Sequence, residues 1–203
     1  MALRSSRPHL VFVLLLAITL SFFPVTVEAD SGVVLPTLDE FISTVSDGQA
    51  EALRGIYIPE VLAGSVVSQP SSDAAYVSSE ANTLTQFGQA AQFGSTGLLA
   101  HNYLAGKTFS RVEEGQVVYL VYGDGHTQAF VVTQILRFQA LDPDSIWSNF
   151  IDLDQGGRLS ASRLFSKVYA QPGHLILQTC IYAHGDPSWG RLFVIAEPYP
   201  TKK

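Results

Sequence analysis

Two apolar stretches of the chain are Leu175-Ile176-Leu177-Gln178-Thr179-Cys180 and, starting eleven residues after the cysteine, Arg191-Leu192-Phe193-Val194-Ile195-Ala196. Both are short and rich in apolar, β-branched or aromatic residues, a composition typical of buried strands. The connection between them, residues 181–190, is polar and contains Gly and Pro, so it is predicted to be a loop. If the two strands are neighbours, Cys180 and Arg191 lie at one end of the sheet.

Segments of the same strand-like composition continue upstream as far as Gly55. Gly123-Asp124-Gly125-His126 has the composition of a hairpin turn. Two helical pieces are expected, one near Phe109 and one at 161–169, where Leu164, Phe165 and Val168 share a face. The sequence therefore predicts a mainly β domain with a few short helices, a closed or nearly closed barrel of about eight strands. The candidate strands are 56–58, 65–68, 76–78, 83–86, 97–100, 116–122, 128–138, 174–179 and 191–197.

The N-terminus has the pattern of an export signal. Arg4 and Arg7 precede a charge-free apolar stretch at 10–23, and small residues lead to Ala29. We expect a signal peptide at 1–29 and a protein that is extracellular or on the outer face of the cytoplasmic membrane. The alternative is an uncleaved anchor at 10–27, through which the protein would associate with the membrane.

The rest of the chain divides into a connecting segment and one domain. Residues 30–55 are predicted to be a linker with a short helix, capped by Thr37 and extending to about Arg54. Residues 56–203 form the predicted barrel domain, since a chain of 203 residues with 47% hydrophobic residues is enough for one buried core.

Composition argues against a nucleic-acid partner. The chain has 12 basic and 18 acidic residues, a formal net charge of −6, and its only basic run is the terminal pair of lysines. Nucleic-acid binding needs clustered positive charge.

Cys180 is the only cysteine, which matters in an exported protein because such proteins commonly pair their cysteines. Without a partner in the chain, Cys180 is either a small buried hydrophobic residue or a free thiol kept for chemistry.

The chemical interpretation of Cys180 is acyl transfer. A thiolate is a nucleophile, and it needs a proton carrier such as His101, which ends the apolar run Leu98-Leu99-Ala100. Arg191 is always charged and can stabilise the oxyanion that forms when a carbonyl is attacked. His184, four residues after Cys180, is a rival base in the predicted loop.

Three segments together resemble the sortase family over about residues 57–198. They are Thr179-Cys180 with the Arg191 strand after it, residues 97–106 followed by Phe109, and residues 114–120 before a hairpin. The chain differs from many members in having Ala100 where they have Gly before the histidine. Its segment 141–172 has a sequence of its own, so the choice of substrate does not transfer.

The resemblance implies a sortase-type β-barrel and a cysteine transpeptidase. Cys180 would attack a peptide bond in a sorting signal and form a thioester, with His101 as acid/base and Arg191 as the positioning cation. The partners implied are a protein substrate that carries the sorting signal and an amine acceptor, either a cell-wall peptide or a pilin lysine. Substrate-binding positions are predicted at Thr179, which would line the pocket, at Asn102 and at Trp189.

Two alternatives stay open. One is a non-catalytic sortase-like barrel that binds peptides in the cell envelope, and the other is a different exported cysteine acyltransferase such as an L,D-transpeptidase. The His-Gly-Cys-type motif of the second family is absent around Cys180.

No cofactor and no metal site are predicted. Residues 152–157 resemble the start of a calcium loop, but the twelfth position, which needs a bidentate acid, is Arg163. A zinc site would need further cysteine or histidine ligands close together.

Overall fold

Eight strands close into a barrel in the computed structural model, which describes residues 34–200. The predicted signal peptide and most of the linker before the helix lie outside these residues. Closure is made by antiparallel pairing of the last strand with the sixth. In order around the barrel the strands are β1 (Leu53–Ile58), β2 (Leu62–Ser68), β3 (Thr83–Phe87), β4 (Thr96–Leu99), β9 (Leu175–Ala183), β10 (Asp186–Pro198), β6 (Thr127–Ala140) and β5 (Val117–Tyr122).

Two short strands extend the sheet beyond the barrel. β7 (Phe150–Asp152) pairs with the end of β6, and β8 (Arg158–Leu159) pairs with β7. The mainly β class, the closed eight-stranded barrel and the few short helices predicted from the sequence are confirmed.

Three α-helices and one 3₁₀ helix decorate the described barrel: α1 (Leu38–Val45), α2 (Gly88–Ala91), the 3₁₀ helix (Ala105–Arg111) and α3 (Ala161–Tyr169). None of them is long and apolar enough to cross a membrane. Thr37 caps α1 through a reciprocal pair of hydrogen bonds with Glu40, and the ring of Phe41 lies over Gly55 on the outside of the barrel.

Two hydrophobic cores use opposite faces of the same strands, because side chains alternate along a strand. Inward residues of β9 and β10, such as Leu177 and Val194, belong to the core of the barrel. Outward residues, such as Ile176 and Phe193, pack beneath Leu164 and Val168 of α3. The helix therefore covers the outer face of β9, β10 and β6 and leaves the ends of these strands open.

Three predicted elements differ in the structure. The first helix ends at Val45 instead of continuing toward Arg54, because the chain turns into extended backbone at Ser46. Residues 76–78 form no strand: the Tyr76 carbonyl accepts from the Gln69 side chain and the Ser78 N–H donates to the Thr85 hydroxyl. The predicted loop at 181–190 is largely strand, with its turn at His184-Gly185.

Candidate active site

Cys180 and Arg191 are direct partners in the antiparallel ladder between β9 and β10. Leu177 and Thr179 point to the inside of the barrel, so Cys180 lies on the outer face, where it is partly exposed. Residues opposite each other in such a ladder have Cβ atoms about 4.5–5.5 Å apart. The thiol and the base of the arginine side chain are therefore neighbours on one surface.

The Arg191 guanidinium is held by the main chain of its own strand. Its Nη1 donates to the carbonyls of Ser188 at 2.8 Å and Gly190 at 2.9 Å. A guanidinium carries five N–H donors, and Nη1 supplies only two of them. The described residues supply no hydrogen-bond acceptor to its Nε and Nη2 donors, which leaves them for a ligand.

His101 reaches the same surface from the neighbouring strand. β4 runs parallel to β9 with Leu99 opposite Gln178, and the ladder continues with a hydrogen bond from the Ala100 N–H to the Gln178 carbonyl. β4 ends at Leu99, and His101 follows two residues later. The strands that lead to the histidine, carry the cysteine and carry the arginine are thus consecutive neighbours in the sheet.

The backbone of His101 is fixed at two points. The carbonyl before it, that of Ala100, accepts a hydrogen bond of 2.8 Å from the Thr179 hydroxyl. The His101 carbonyl accepts from the N–H groups of Leu104 and Gly106, both at 3.0 Å. Its ring stacks on Tyr103, with centroids 5.1 Å apart and planes 19° from parallel.

The three predicted substrate-binding residues have different environments. Thr179 is only 4% exposed, with its hydroxyl on the Ala100 carbonyl, so it lies behind the surface that carries Cys180. The Asn102 amide donates to the Pro187 carbonyl at 2.8 Å and therefore contacts the β9–β10 hairpin. Trp189 is half-buried in that hairpin and packs edge-on against His184, with ring centroids 5.6 Å apart.

His184 belongs to the tight turn between β9 and β10. It and Gly185 both have positive φ, +51° and +83°, as the two central residues of a type I′ hairpin turn require. His184 is exposed and lies beyond Cys180 along the strand. The structure thus pairs Cys180 with Arg191, places His101 just after the strand that neighbours the Cys180 strand, and places His184 at the hairpin tip.

The outer surface beside Arg191 continues through an ordered row of side chains. Arg191 is opposite Phe138 of β6, and Phe138 is opposite Asp152 of β7. Lys167 of α3 lies over the Phe138 ring at 5.5 Å and pairs with Asp152 at 3.2 Å.

Asp152 has a structural role in the loop that resembled a calcium site. Its carboxylate accepts from the backbone N–H groups of Asp154 and Gln155 as well as from Lys167. Burial alone would raise the pKa of Asp152, but these donors outweigh burial and hold the pKa below its usual range. Within residues 34–200, no group of three or more His, Cys, Asp or Glu side chains is arranged to bind a metal ion.

Sequence reasoning missed Tyr103 and Gly106. Tyr103, which is 64% exposed, supports the His101 ring, and an aromatic residue two positions after a candidate histidine was the available signal. At Gly106 a Cβ would overlap the Thr179 hydroxyl and lie 2.8 Å from the carbonyl oxygens of Ala100 and His101. The need for glycine at this position depends on contacts between distant segments, which the sequence does not display.

Sequence comparison finds no relative: no protein-family model matches the chain, and no curated protein does. Solved structures do match. Sortase C-1 from Actinomyces oris has 13% identity and a TM-score of 0.50 over 83% of each chain. Sortase C1 from Streptococcus suis has 15% identity and a TM-score of 0.49, covering 81% of this chain and 79% of that one.

Sortase A from Corynebacterium diphtheriae is similar at 15% identity with a TM-score of 0.48, and this chain, matched over 76% of its length, spans 63% of that protein. Structural similarity at such low sequence identities shows a shared fold and nothing further. The assignment of the fold rests on the Actinomyces protein, which has the highest TM-score of these three structures. The barrel described above therefore has the fold of the sortases.

Proposed function

We propose that this protein is an exported cysteine transpeptidase of the sortase type. It would cleave a peptide bond within a sorting signal through a thioester and pass the acyl group to an amine. The observation that carries the proposal is the pairing of Cys180 with Arg191 across one ladder, next to the strand that leads to His101. The sortase fold is consistent with this chemistry.

Acylation begins when the Cys180 sulfur, as a thiolate, adds to the carbonyl carbon of the sorting signal. The carbonyl oxygen becomes an oxyanion, which the Nε and Nη2 donors of Arg191 stabilise. As the C–N bond breaks, the departing nitrogen takes a proton from the protonated His101 ring and leaves as an amine. The product is a thioester on Cys180.

Deacylation reverses these roles with a different amine. The acceptor nitrogen attacks the thioester carbonyl and gives its proton to the neutral His101 ring. The C–S bond then breaks, an amide forms and Cys180 returns as a thiolate. The cycle needs only the residues of the site and two peptide substrates, so we propose no cofactor for it.

The partners proposed are those that the resemblance to the sortases implies. The acyl donor is a protein that bears a sorting signal, and the acceptor is the amine of a cell-wall peptide or a pilin lysine. The apolar stretch at 10–23 supports export, with the protein outside the cell or on the outer face of the cytoplasmic membrane.

Mass spectrometry of the purified protein tests the proposal. It is incubated with peptides of the Leu-Pro-x-Thr-Gly type, first alone and then with an amine acceptor. Because Cys180 is the only cysteine, a hydroxylamine-sensitive mass increase that requires this residue is an acyl-enzyme at that sulfur. We expect the adduct and the transfer product from the wild type and neither from Cys180→Ala.

Two results would contradict the proposal. Transfer by Cys180→Ala at the wild-type rate would remove the sulfur from the mechanism. Tight binding of these peptides by the wild type, with no adduct and no product, would favour the non-catalytic peptide-binding alternative.

A further inference from the structure

A three-residue bulge interrupts β10 just before Arg191. Asp186 is opposite Ala183 and Gly190 is opposite Ile181, so residues 187–189 on β10 face only Tyr182 on β9. Such a bulge has no regular ladder to hold its backbone. The hydrogen bonds to its carbonyl groups therefore help to fix the backbone that leads into Arg191.

Two consecutive carbonyls of the bulge are bound by residues of the candidate site. The Pro187 carbonyl accepts the Asn102 amide at 2.8 Å, and the Ser188 carbonyl accepts the Arg191 guanidinium at 2.8 Å. Asn102 directly follows His101 in the chain. Ser188 alone thus separates the carbonyl bound by the histidine segment from the carbonyl bound by the arginine side chain.

Two further contacts hold the bulge. The Asp186 carboxylate accepts the Ser188 N–H at 2.7 Å, and this N–H belongs to the same peptide unit as the Pro187 carbonyl. Just after the bulge, Gly190 is packed so closely that a Cβ would lie 2.5 Å from the Phe138 carbonyl oxygen. The Asn102 hydrogen bond joins this bulge to the segment on the other side of the cysteine.

We infer that Asn102 is a positioning residue: through the Pro187 and Ser188 carbonyls it holds the Arg191 guanidinium in register with Cys180. An arginine side chain has several rotatable bonds, and its two carbonyl acceptors, Ser188 in the bulge and Gly190 just after it, restrict it to one orientation. The same amide ties the His101 segment to the hairpin. This inference rests on the proposed function for its purpose, but its geometry can be tested without turnover.

Alkylation of the single thiol measures the arginine directly. Iodoacetate is an anion and iodoacetamide is neutral. The rate of Cys180 alkylation by iodoacetate divided by the rate with iodoacetamide therefore rises with the positive charge beside the sulfur, and this quotient is the ratio used below. The ratio is measured at a pH about two units above the ordinary imidazole pKa of about 6.5, where an ordinary imidazole carries little charge. For Arg191→Gln we expect the ratio to fall about fivefold, the effect of one unit charge about 4 Å away in water.

Asn102→Ala and Asn102→Leu should each lower the ratio about twofold or more, because the guanidinium is no longer held beside the thiol. Leucine is close to asparagine in shape, is neutral and donates no hydrogen bond to Pro187, so it removes the donor without adding a charge that would itself change the ratio. Gln69→Ala is the matched control: this amide also spans to backbone carbonyls, those of Ala74 and Tyr76, but at a distant loop, and its ratio should equal that of the wild type.

The outcomes separate this inference from the proposed function. An unchanged ratio in both Asn102 variants, with melting temperatures like that of the wild type, would overturn the positioning role, and so would an unchanged ratio in Arg191→Gln. If the ratios fall as expected but sorting peptides never acylate the wild type, the positioning stands and the transpeptidase assignment fails. If the wild type does turn over, Asn102→Ala should lower kcat about tenfold or more with little change in KM, since the lost contact acts on the oxyanion.

Discussion

The Thr179 hydroxyl donates a hydrogen bond of 2.8 Å to the Ala100 carbonyl, and these residues immediately precede Cys180 and His101. A single side chain therefore joins the two segments that carry the proposed nucleophile and the proposed proton carrier. Thr179 is buried, so the hydrogen bond is shielded from water. Thr179, the residue before the cysteine, therefore has a structural role that requires no contact with a substrate.

Replacing Thr179 with valine keeps the shape and removes the donor. The Ala100 carbonyl is then left without this partner, and we expect the free energy of unfolding to fall by about 1–2 kcal/mol. Because His101 is no longer fixed relative to Cys180, the rate of acylation should fall by more than the loss of folded protein explains. Urea denaturation and single-turnover acylation measure the two effects.

Thr85→Val is the matched control for that variant. Thr85 is a buried threonine of β3 whose hydroxyl accepts the Ser78 N–H at 2.8 Å, away from Cys180. It should lose similar stability and keep the wild-type acylation rate. Equal acylation by both variants would show that the Thr179 hydrogen bond serves stability alone.

Gly106 allows the 3₁₀ helix to lie against the same hydrogen bond. In Gly106→Ala the added methyl group would overlap the Thr179 hydroxyl and crowd the carbonyls of Ala100 and His101. We expect a loss of about 2 kcal/mol or more in unfolding free energy and a lower rate of Cys180 acylation, since overpacking forces the backbone to move. Thermal denaturation and acylation at a temperature well below the melting point measure both.

The control glycine is Gly88, at the start of α2. Only the Gln69 side chain, 3.7 Å away, would touch a Cβ there, so Gly88→Ala should fold with equal or higher stability. A stable, fully active Gly106→Ala would mean that the helix has room to shift without disturbing the histidine.

Local patterns predicted much of the fold correctly. The α3 helix occupies the predicted range Ala161–Tyr169 with Leu164 and Val168 buried, and the Gly123–His126 turn joins β5 to β6. Both depend on spacing or turn chemistry within a few residues, which a sequence displays directly.

The contacts that organise the candidate site are not local. Asn102 and Pro187 are 85 residues apart, and the parallel pairing of β4 with β9 depends on the closure of the whole barrel. The polar residues at 181–190 were predicted to be a loop because Gly and Pro usually end strands. In the structure both strands continue into this segment, and its Gly and Pro residues lie in the tight turn at 184–185 and at the bulge at 187–189 and its end.

The two histidines near the thiol are expected to differ sharply in function. His101→Ala should lower the acylation rate by about 10²–10⁴-fold, the usual contribution of a general acid or base. His184→Asn should keep the wild-type rate, and asparagine tolerates the positive φ of this turn residue. Rapid-quench measurement of the acyl-enzyme compares them, and the opposite ranking would make His184 the proton carrier.

Asp152 should make stability depend on acid pH. Its pKa is held below the usual value in the folded protein, so its stabilisation is complete above the unfolded pKa of about 3.9 and is lost as the pH falls through the folded pKa. At pH 7, Asp152→Asn should lower the unfolding free energy by about 2 kcal/mol, because the backbone N–H groups of the turn and the exposed Lys167 lose a charged, buried acceptor.

The wild type and Asp152→Asn should therefore converge in stability as the pH is lowered below about 4, which urea denaturation across a pH series would follow. Asp144→Asn is the control, since Asp144 is exposed in the β6–β7 connection and its replacement should leave the profile of the wild type unchanged. If the difference in unfolding free energy between wild type and Asp152→Asn were as large at pH 2 as at pH 7, the asparagine would be destabilising because of its shape and hydrogen bonding. In that case the carboxylate charge would contribute nothing to holding β7, and through it Phe138, beside Arg191.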